Sequence, residues 1–223
     1  MKLYMHAGAC SLAPHIVCRE LGLPVALVAV DRKTHKTPDG QDYLQINGNG
    51  YVPALQLDDG QVMIEGPAIL QYLGGLKPEE NLVPAAGTAE RLALQSLLNF
   101  ITAELHKPMA MMFYPDYAPV REVLKGHVAK RLDWIAPRLA GPFLTGETFT
   151  VADSYLFVCL NWLPFLGMDL TRWPALSAFM GEVGKRPKVR EALAAEGLVP
   201  WRDEGIFFAP EAIAGKQREA ARP

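Results

Sequence analysis

The rhythm of hydrophobic and polar positions changes once along this chain, near residue 76. Before that point short apolar runs alternate with stretches of helical spacing. Lys2–Met5 carries a strand signal, Ser11 to about Leu21 a helical one, and Ala26–Asp31 is a β-branched and aliphatic run. A polar loop, a short helix around Gln41–Ile46 and an Asn47-Gly48 turn follow. Strands at Ala54–Asp58 and Gln61–Ile64 flank Asp59-Gly60, a dipeptide that tolerates positive φ and so marks a hairpin. A helix from about Pro67 to Leu73 completes the order βαβαββα. Proline suits its first turn, where a missing N–H costs nothing.

After Leu76 the segment Lys77–Thr88 is rich in turn formers and charge and reads as a linker. Beyond it the periodicity is helical only, near Ala89–Met112, Val120–Leu139, Val151–Leu163, Pro174–Arg186 and Lys188–Glu196. The predicted organisation is α/β plus all-α: a domain over 1–76, a linker over 77–88, an all-helical domain over 89–201 and a tail over 202–223. That tail mixes Ala, Arg and Glu with one apolar patch, Ile206-Phe207-Phe208. Thr150 and Asp153, three residues apart ahead of an apolar run, form a capping-box signature. In the first long helix, Leu94, Leu98, Ile101, Leu105 and Met109 make the buried stripe. Gln95, Asn99, Thr102 and His106 make a polar stripe on a neighbouring face, placed to border an interdomain groove. Pro108 predicts a kink just past His106 and Lys107.

The 223 residues are half hydrophobic, enough for a substantial core, and carry a net charge of -2 with both signs interspersed. No basic stripe offers itself to nucleic acid. Tyr155 to Met168 is the longest apolar stretch; Asn161 and Pro164 interrupt it, and it falls short of the ~20 residues of a membrane span. It reads as a core helix ending near the proline. The three cysteines, Cys10, Cys18 and Cys159, have no metal-like spacing, and the chain starts without a signal-peptide pattern. A reducing, cytoplasmic setting and no metal are the expectation.

Cys10 follows the first strand and a Gly8-Ala9 turn and opens a helix. Unpaired N–H groups and the helix dipole favour an anion there by ~0.3–1 kcal/mol, which brings a thiol from about 8.5 toward roughly 7. The alternative is a small buried residue that happens to begin a helix. His106 has two readings as well, a satisfied residue at a packing boundary or a group facing the thiol across a groove. Val52-Pro53 precedes a strand; X-Pro bonds are cis in only about 5–6% of cases. Glu65-Gly66-Pro67 opens the next helix, where a backbone N–H can hold a carboxylate and Glu65 an ammonium, the two ends of an amino-acid-like ligand head. A plain acidic helix start is the alternative.

Gly8-Ala9-Cys10-Ser11-Leu12-Ala13-Pro14-His15, Val52-Pro53-Ala54-Leu55, Glu65-Gly66-Pro67-Ala68-Ile69 and Glu104-Leu105-His106-Lys107, in this order, resemble the bacterial beta-class glutathione S-transferases. The match runs from Met1 to about Leu198. The resemblance implies a thioredoxin-like N-terminal domain, a helical C-terminal domain and a homodimer that binds glutathione and a hydrophobic electrophile. It implies a cis Val52-Pro53 bond whose backbone pairs with the cysteinyl part of glutathione, and Glu65 and Gly66 on the γ-glutamyl end. It places Cys10, Ser11 and His106 at the reacting sulfur, and Asn99, Glu104 and Lys107 in the glutathione site, some reaching it across the dimer. Relatives often carry lysine near His35 and glutamine at Tyr51; here His35, Lys36 and Tyr51 are the candidates for the glycyl carboxylate. The expected activity is transfer of the glutathione sulfur, with thiol–disulfide exchange through a Cys10–glutathione mixed disulfide, or dehalogenation, beside it. Met109, Met112, Phe113 and Tyr114 are expected to line the electrophile pocket. A non-catalytic ligand-binding or protein-interaction module on the same fold is the alternative.

Overall fold

The computed structural model describes residues 1–198, so the expected tail over 202–223 lies outside the described residues. The first part of the chain builds a four-stranded sheet in the order β2-β1-β3-β4. Strand β1 (Lys2–Met5) pairs in parallel with β2 (Ala26–Ala29), Leu3 opposite Leu27, and antiparallel with β3 (Ala54–Gln56), Leu3 opposite Leu55. Strand β4 (Val62–Ile64) returns from the Asp59-Gly60 turn, where Gly60 adopts φ 88°, a value that favours glycine. Helix α1 (Leu12–Glu20) makes the crossover between the parallel neighbours β1 and β2, and α2 (Gly66–Gly75) closes the unit.

The second helix of the expected βαβαββα order is a single 3₁₀ turn, Tyr43–Gln45. Tyr43 is fully buried and its hydroxyl donates to the Tyr51 carbonyl at 2.7 Å. Asn47 Nδ2 donates to the same carbonyl at 2.7 Å. Both bonds pull the chain directly into the Tyr51-Val52-Pro53 segment and leave no length for a longer helix.

The rest is helical: α3 (Ala89–Phe100), α4 (Lys107–Met111), α5 (Arg121–Ile135), α6 (Val151–Leu160), α7 (Pro174–Lys185) and α8 (Pro187–Ala195). Every residue of α6 is buried, which fits its apolar sequence. Asp153 ends the loop before it with three bonds, accepting the Thr150 N–H and the Leu144 N–H at 2.7 Å and the Thr150 hydroxyl at 2.8 Å. The helix stops at Leu160, and Pro164 sits in a separate 3₁₀ turn, Leu163–Leu166. Between α3 and α4 the chain widens into a π-helical turn, Ile101–His106, in which the Lys107 N–H reaches back to the Thr102 carbonyl. The distortion therefore ends at His106 instead of following it. Pro108 has no N–H for the Glu104 carbonyl, and its ring crowds that carbonyl, so the turn ahead of it opens.

The stripe Leu94, Leu98, Ile101, Leu105 and Met109 is buried as expected. One apolar cluster runs from Leu3, Leu12 and Ile16 in the first domain through Ile69 and Leu73 to Leu156 and Leu160 in the second. Helix α1 packs against α2, α6 and α8. The Glu20 carboxylate accepts from Nε and Nη2 of Arg186 at 2.7 and 2.8 Å, and Gln95 Nε2 donates to Gln71 Oε1 at 3.2 Å, which puts Gln95 of the polar stripe at the seam between domains. Among the described residues no helix is long and apolar enough to cross a membrane.

Candidate functional site

Cys10 lies in the loop between β1 and α1. Gly8 turns that loop with φ 70°, and Ser11 ties it together, accepting the His6 N–H at 3.1 Å and donating to the His6 carbonyl at 3.2 Å. Ser11 is fully buried, and its side chain makes no cap bond to α1. Its hydroxyl hydrogen goes to the loop, to the His6 carbonyl, and not to the first turn of α1. The Cys10 thiol donates to the Val52 carbonyl at 3.1 Å. Val52-Pro53 is a cis bond, as the resemblance implied.

Burial pushes the Cys10 thiol up to about 12; the N–H groups of Cys10 and Ser11 pull against that rise, Glu65 adds to it and the Arg32 guanidinium opposes it. The expected shift toward 7 is thus overturned. The helix terminus does act in the expected direction, but desolvation is the larger effect. The thiol is neutral at pH 7 and serves as a hydrogen-bond donor.

Glu65, the residue before α2, holds φ 70° and ψ 113°, a conformation that an L side chain rarely adopts and that costs on the order of 1–3 kcal/mol. Its carbonyl accepts the N–H groups of Ala68 and Ile69 at 3.1 and 3.0 Å, so the strain is locked in by the start of α2. The Glu65 side chain is exposed. Its charge reaches the Cys10 thiol and the Tyr155 hydroxyl.

The opposite wall comes from the helical domain. His106 Nδ1 and the Tyr155 hydroxyl are 2.5 Å apart, with Thr102 beside the same hydroxyl. The His106 ring also lies 5.1 Å from Trp162, which stands edge-on to Phe113 at 5.9 Å. Desolvation, helped by Lys107, lowers His106 to about 4, and burial raises Tyr155. Both are neutral at pH 7. Met109 and Met112 are fully buried in the core, so they do not line the groove; Phe113 is half-buried and Tyr114 exposed. Of the four residues expected to line the electrophile pocket, the two methionines are therefore core. Arg32 closes the rim, its guanidinium 5.9 Å over the Tyr114 ring.

The remaining candidates are spread around this centre. His35, at φ 53°, packs against Gly50, where a Cβ would come within 2.8 Å of the ring. Its Nδ1 is buried with no partner. Lys36, Tyr51, Asn99 and Lys107 are exposed. Glu104 is held within its own chain by α5, accepting from Arg131 Nε and lying 3.2 Å from His127 Nε2. Among the described residues no group of His, Cys, Asp and Glu side chains is placed to hold a metal ion.

Sequence reasoning missed Tyr155, Trp162 and Arg32. For the first two a signal exists: a Tyr or Trp in a buried apolar run must find a partner for its O–H or N–H. Trp162 finds the Gly8 carbonyl, at 2.9 Å. Arg32 carries no such signal.

Residues 7–76 match the family model for the glutathione S-transferase N-terminal domain, and residues 103–196 match that for the C-terminal domain. The glutathione S-transferase GstA of Escherichia coli O157:H7 is 39% identical over 203 residues, covering 89% of this chain and all of that one. Among solved structures, a ternary complex of BphK, a bacterial GST, is 49% identical with a TM-score of 0.87, covering 89% of this chain and 100% of that one. At 42% identity and the same coverage stand a sphingomonad glutathione S-transferase complexed with glutathione, with a TM-score of 0.85, and the beta-class enzyme of Sphingomonas chungbukensis, with 0.86. The chain belongs to the glutathione S-transferase family, among its bacterial beta-class members.

Proposed function

We propose that this protein binds glutathione in the groove between its domains and transfers the glutathione sulfur to a hydrophobic electrophile. The observation that carries the reading is the Cys10 thiol donating to the Val52 carbonyl beside a cis proline, with the strained Glu65 at the head of α2 within electrostatic reach. On binding, the cysteinyl N–H of glutathione takes over the Val52 carbonyl. That frees the Cys10 S–H to donate to the glutathione sulfur, and a donor aimed at a developing thiolate stabilises it. The His106–Tyr155 pair completes the wall around that sulfur. Glu65 and the Gly66 N–H hold the ammonium and carboxylate of the γ-glutamyl end.

For the glycyl carboxylate we assign His35. Its Nδ1 is shut against Gly50 without an acceptor, which favours the tautomer with the proton on Nε2, the nitrogen left to donate outward. Phe113, Tyr114 and Trp162 offer the apolar surface for the electrophile. The working form is a homodimer in a cytoplasmic setting. Leu92, 65% exposed, lies on the same face of α3 as Ser96 and Asn99, an apolar residue placed for a second copy. Asn99 and Lys107, both exposed, would reach glutathione from that copy, while Glu104 stays with Arg131 and His127 of its own chain.

A neutral Cys10 supports conjugation over a Cys10–glutathione mixed disulfide, because disulfide exchange needs the thiolate. A Cys10→Ala variant tests this. Transfer to 1-chloro-2,4-dinitrobenzene is expected to persist, reduced by the loss of one donor, while thiol–disulfide exchange vanishes. Equal loss of both would overturn the assignment. Failure of the parent protein to bind immobilised glutathione would favour a non-catalytic module.

A further inference from the structure

The end of α8 carries an acidic residue where the helix dipole disfavours one. Glu196 precedes Gly197, whose φ of 70° ends the helix: the Gly197 N–H bonds the Ala194 carbonyl at 3.0 Å and the Leu198 N–H bonds the Leu193 carbonyl at 2.8 Å. The Glu196 side chain is fully enclosed, and both of its oxygens are in use. Oε2 accepts the Gly8 N–H at 2.9 Å, two residues before Cys10. Oε1 lies 2.8 Å from Nδ1 of His15, itself fully enclosed, and Arg19 Nε donates to His15 Nε2 at 3.1 Å. A guanidinium has no acceptor, so the His15 proton sits on Nδ1 and points at Glu196. Donation runs in one direction, from Arg19 through His15 to the carboxylate. With Trp162 holding the Gly8 carbonyl, both sides of Gly8 are fixed from the helical domain.

We propose that Glu196, oriented by His15 and Arg19, is a positioning residue for Cys10. A carboxylate that is locally unfavourable and buried, yet bonded to the loop of the reacting group, marks a device of the site. It fixes the loop from which Cys10 presents its thiol, and its role in turnover rests on the reading of that loop as the glutathione site.

The donor pattern makes a specific prediction. In Glu196→Gln an amide offers one acceptor where two are needed. If its oxygen faces His15, its N–H meets the Gly8 N–H. If its oxygen faces Gly8, the His15 tautomer must reverse, and Nε2–H meets the Arg19 N–H. Adding Arg19→Gln removes the second conflict, because an amide oxygen then accepts from Nε2–H and the relay runs backward.

The test is alkylation of the reduced protein by iodoacetamide, followed by intact mass and peptide mapping. Cys18 and Cys159 are fully buried, so the fast-reacting thiol is Cys10. Glu196→Gln is expected to speed Cys10 alkylation by roughly tenfold and raise the glutathione KM by a similar factor, the scale of one unsatisfied buried donor. The double variant is expected to return both toward the parent values. A purely structural role would instead lower Tm with alkylation and KM unchanged, and Arg19→Gln would add to the damage; either result overturns the proposal. If Glu196→Gln does not fold, the double variant decides, since a failure of Arg19→Gln to restore folding contradicts the relay. Alkylation needs no glutathione, so a parent protein that fails to bind glutathione would refute the proposed function and leave this test standing.

Discussion

The Tyr155 hydroxyl and His106 Nδ1 stand 2.5 Å apart at a π-helical turn, and burial acts on both toward the uncharged form. The pair is therefore a neutral hydrogen bond, in which each group supplies the other's partner in a desolvated wall. Tyr155→Phe is expected to cost ~1–3 kcal/mol of stability, measured by urea denaturation, because it strands a ring nitrogen. The same change made in a His106→Ala background is expected to cost clearly less. Equal costs in both backgrounds would show that the pair is not coupled.

Desolvation lowers His106 in the folded chain to about 4 from its ordinary value of 6.5. Between those values the unfolded chain holds more protons, so stability rises with pH across the window and is lost as pH falls through it. Asp153 works in the opposite sense, since burial raises it to about 6 and the folded chain holds its proton more tightly. The two partly cancel in the parent. Removing one exposes the other: His106→Asn is expected to flatten or reverse the slope of unfolding free energy against pH between about 4 and 6.5. A slope unchanged from the parent would contradict the lowered value.

A thiol at about 12 gives an alkylation rate that climbs with hydroxide concentration. In the reduced, ligand-free protein the logarithm of the Cys10 rate is expected to rise linearly from about pH 6 to about pH 9 with no plateau. A plateau near pH 7 would restore the activated thiolate that the helix terminus alone suggests.

His35 is assigned to the glycyl carboxylate, so its loss must be felt by glutathione and not by γ-glutamylcysteine, which has no glycine. His35→Ala is expected to weaken glutathione binding by roughly tenfold, the scale of one hydrogen bond to a charged group. Binding of γ-glutamylcysteine is expected to stay within about twofold. An equal loss for both ligands would place His35 in loop structure instead.

Much of this was legible in the chain. Two hydrophobic periods separated a sheet-bearing domain from a helical one, and Asp59-Gly60 and the Thr150–Asp153 box marked a turn and a helix start where the structure has them. The spacing of Leu94 to Met109 identified a buried stripe that includes Met109, but it gave no sign that Met112, outside that stripe, is buried as well. The state of Cys10 was not legible, because its titration depends on how much water the fold removes, and sequence shows only the helix terminus that opposes it. Nor was the Glu196–Gly8 bond, which joins residues 188 apart and rests on a side chain that local rules would place in solvent. The π-helical turn was visible only as Pro108, read one turn too late.

Calorimetric titration of the reduced protein with glutathione tests the central claim most directly. Saturable binding is expected at one site per chain, weakened at least about tenfold by Glu65→Ala through loss of the charge-assisted contact to the γ-glutamyl ammonium. No saturable binding to the parent protein, or binding indifferent to Glu65, would contradict the account.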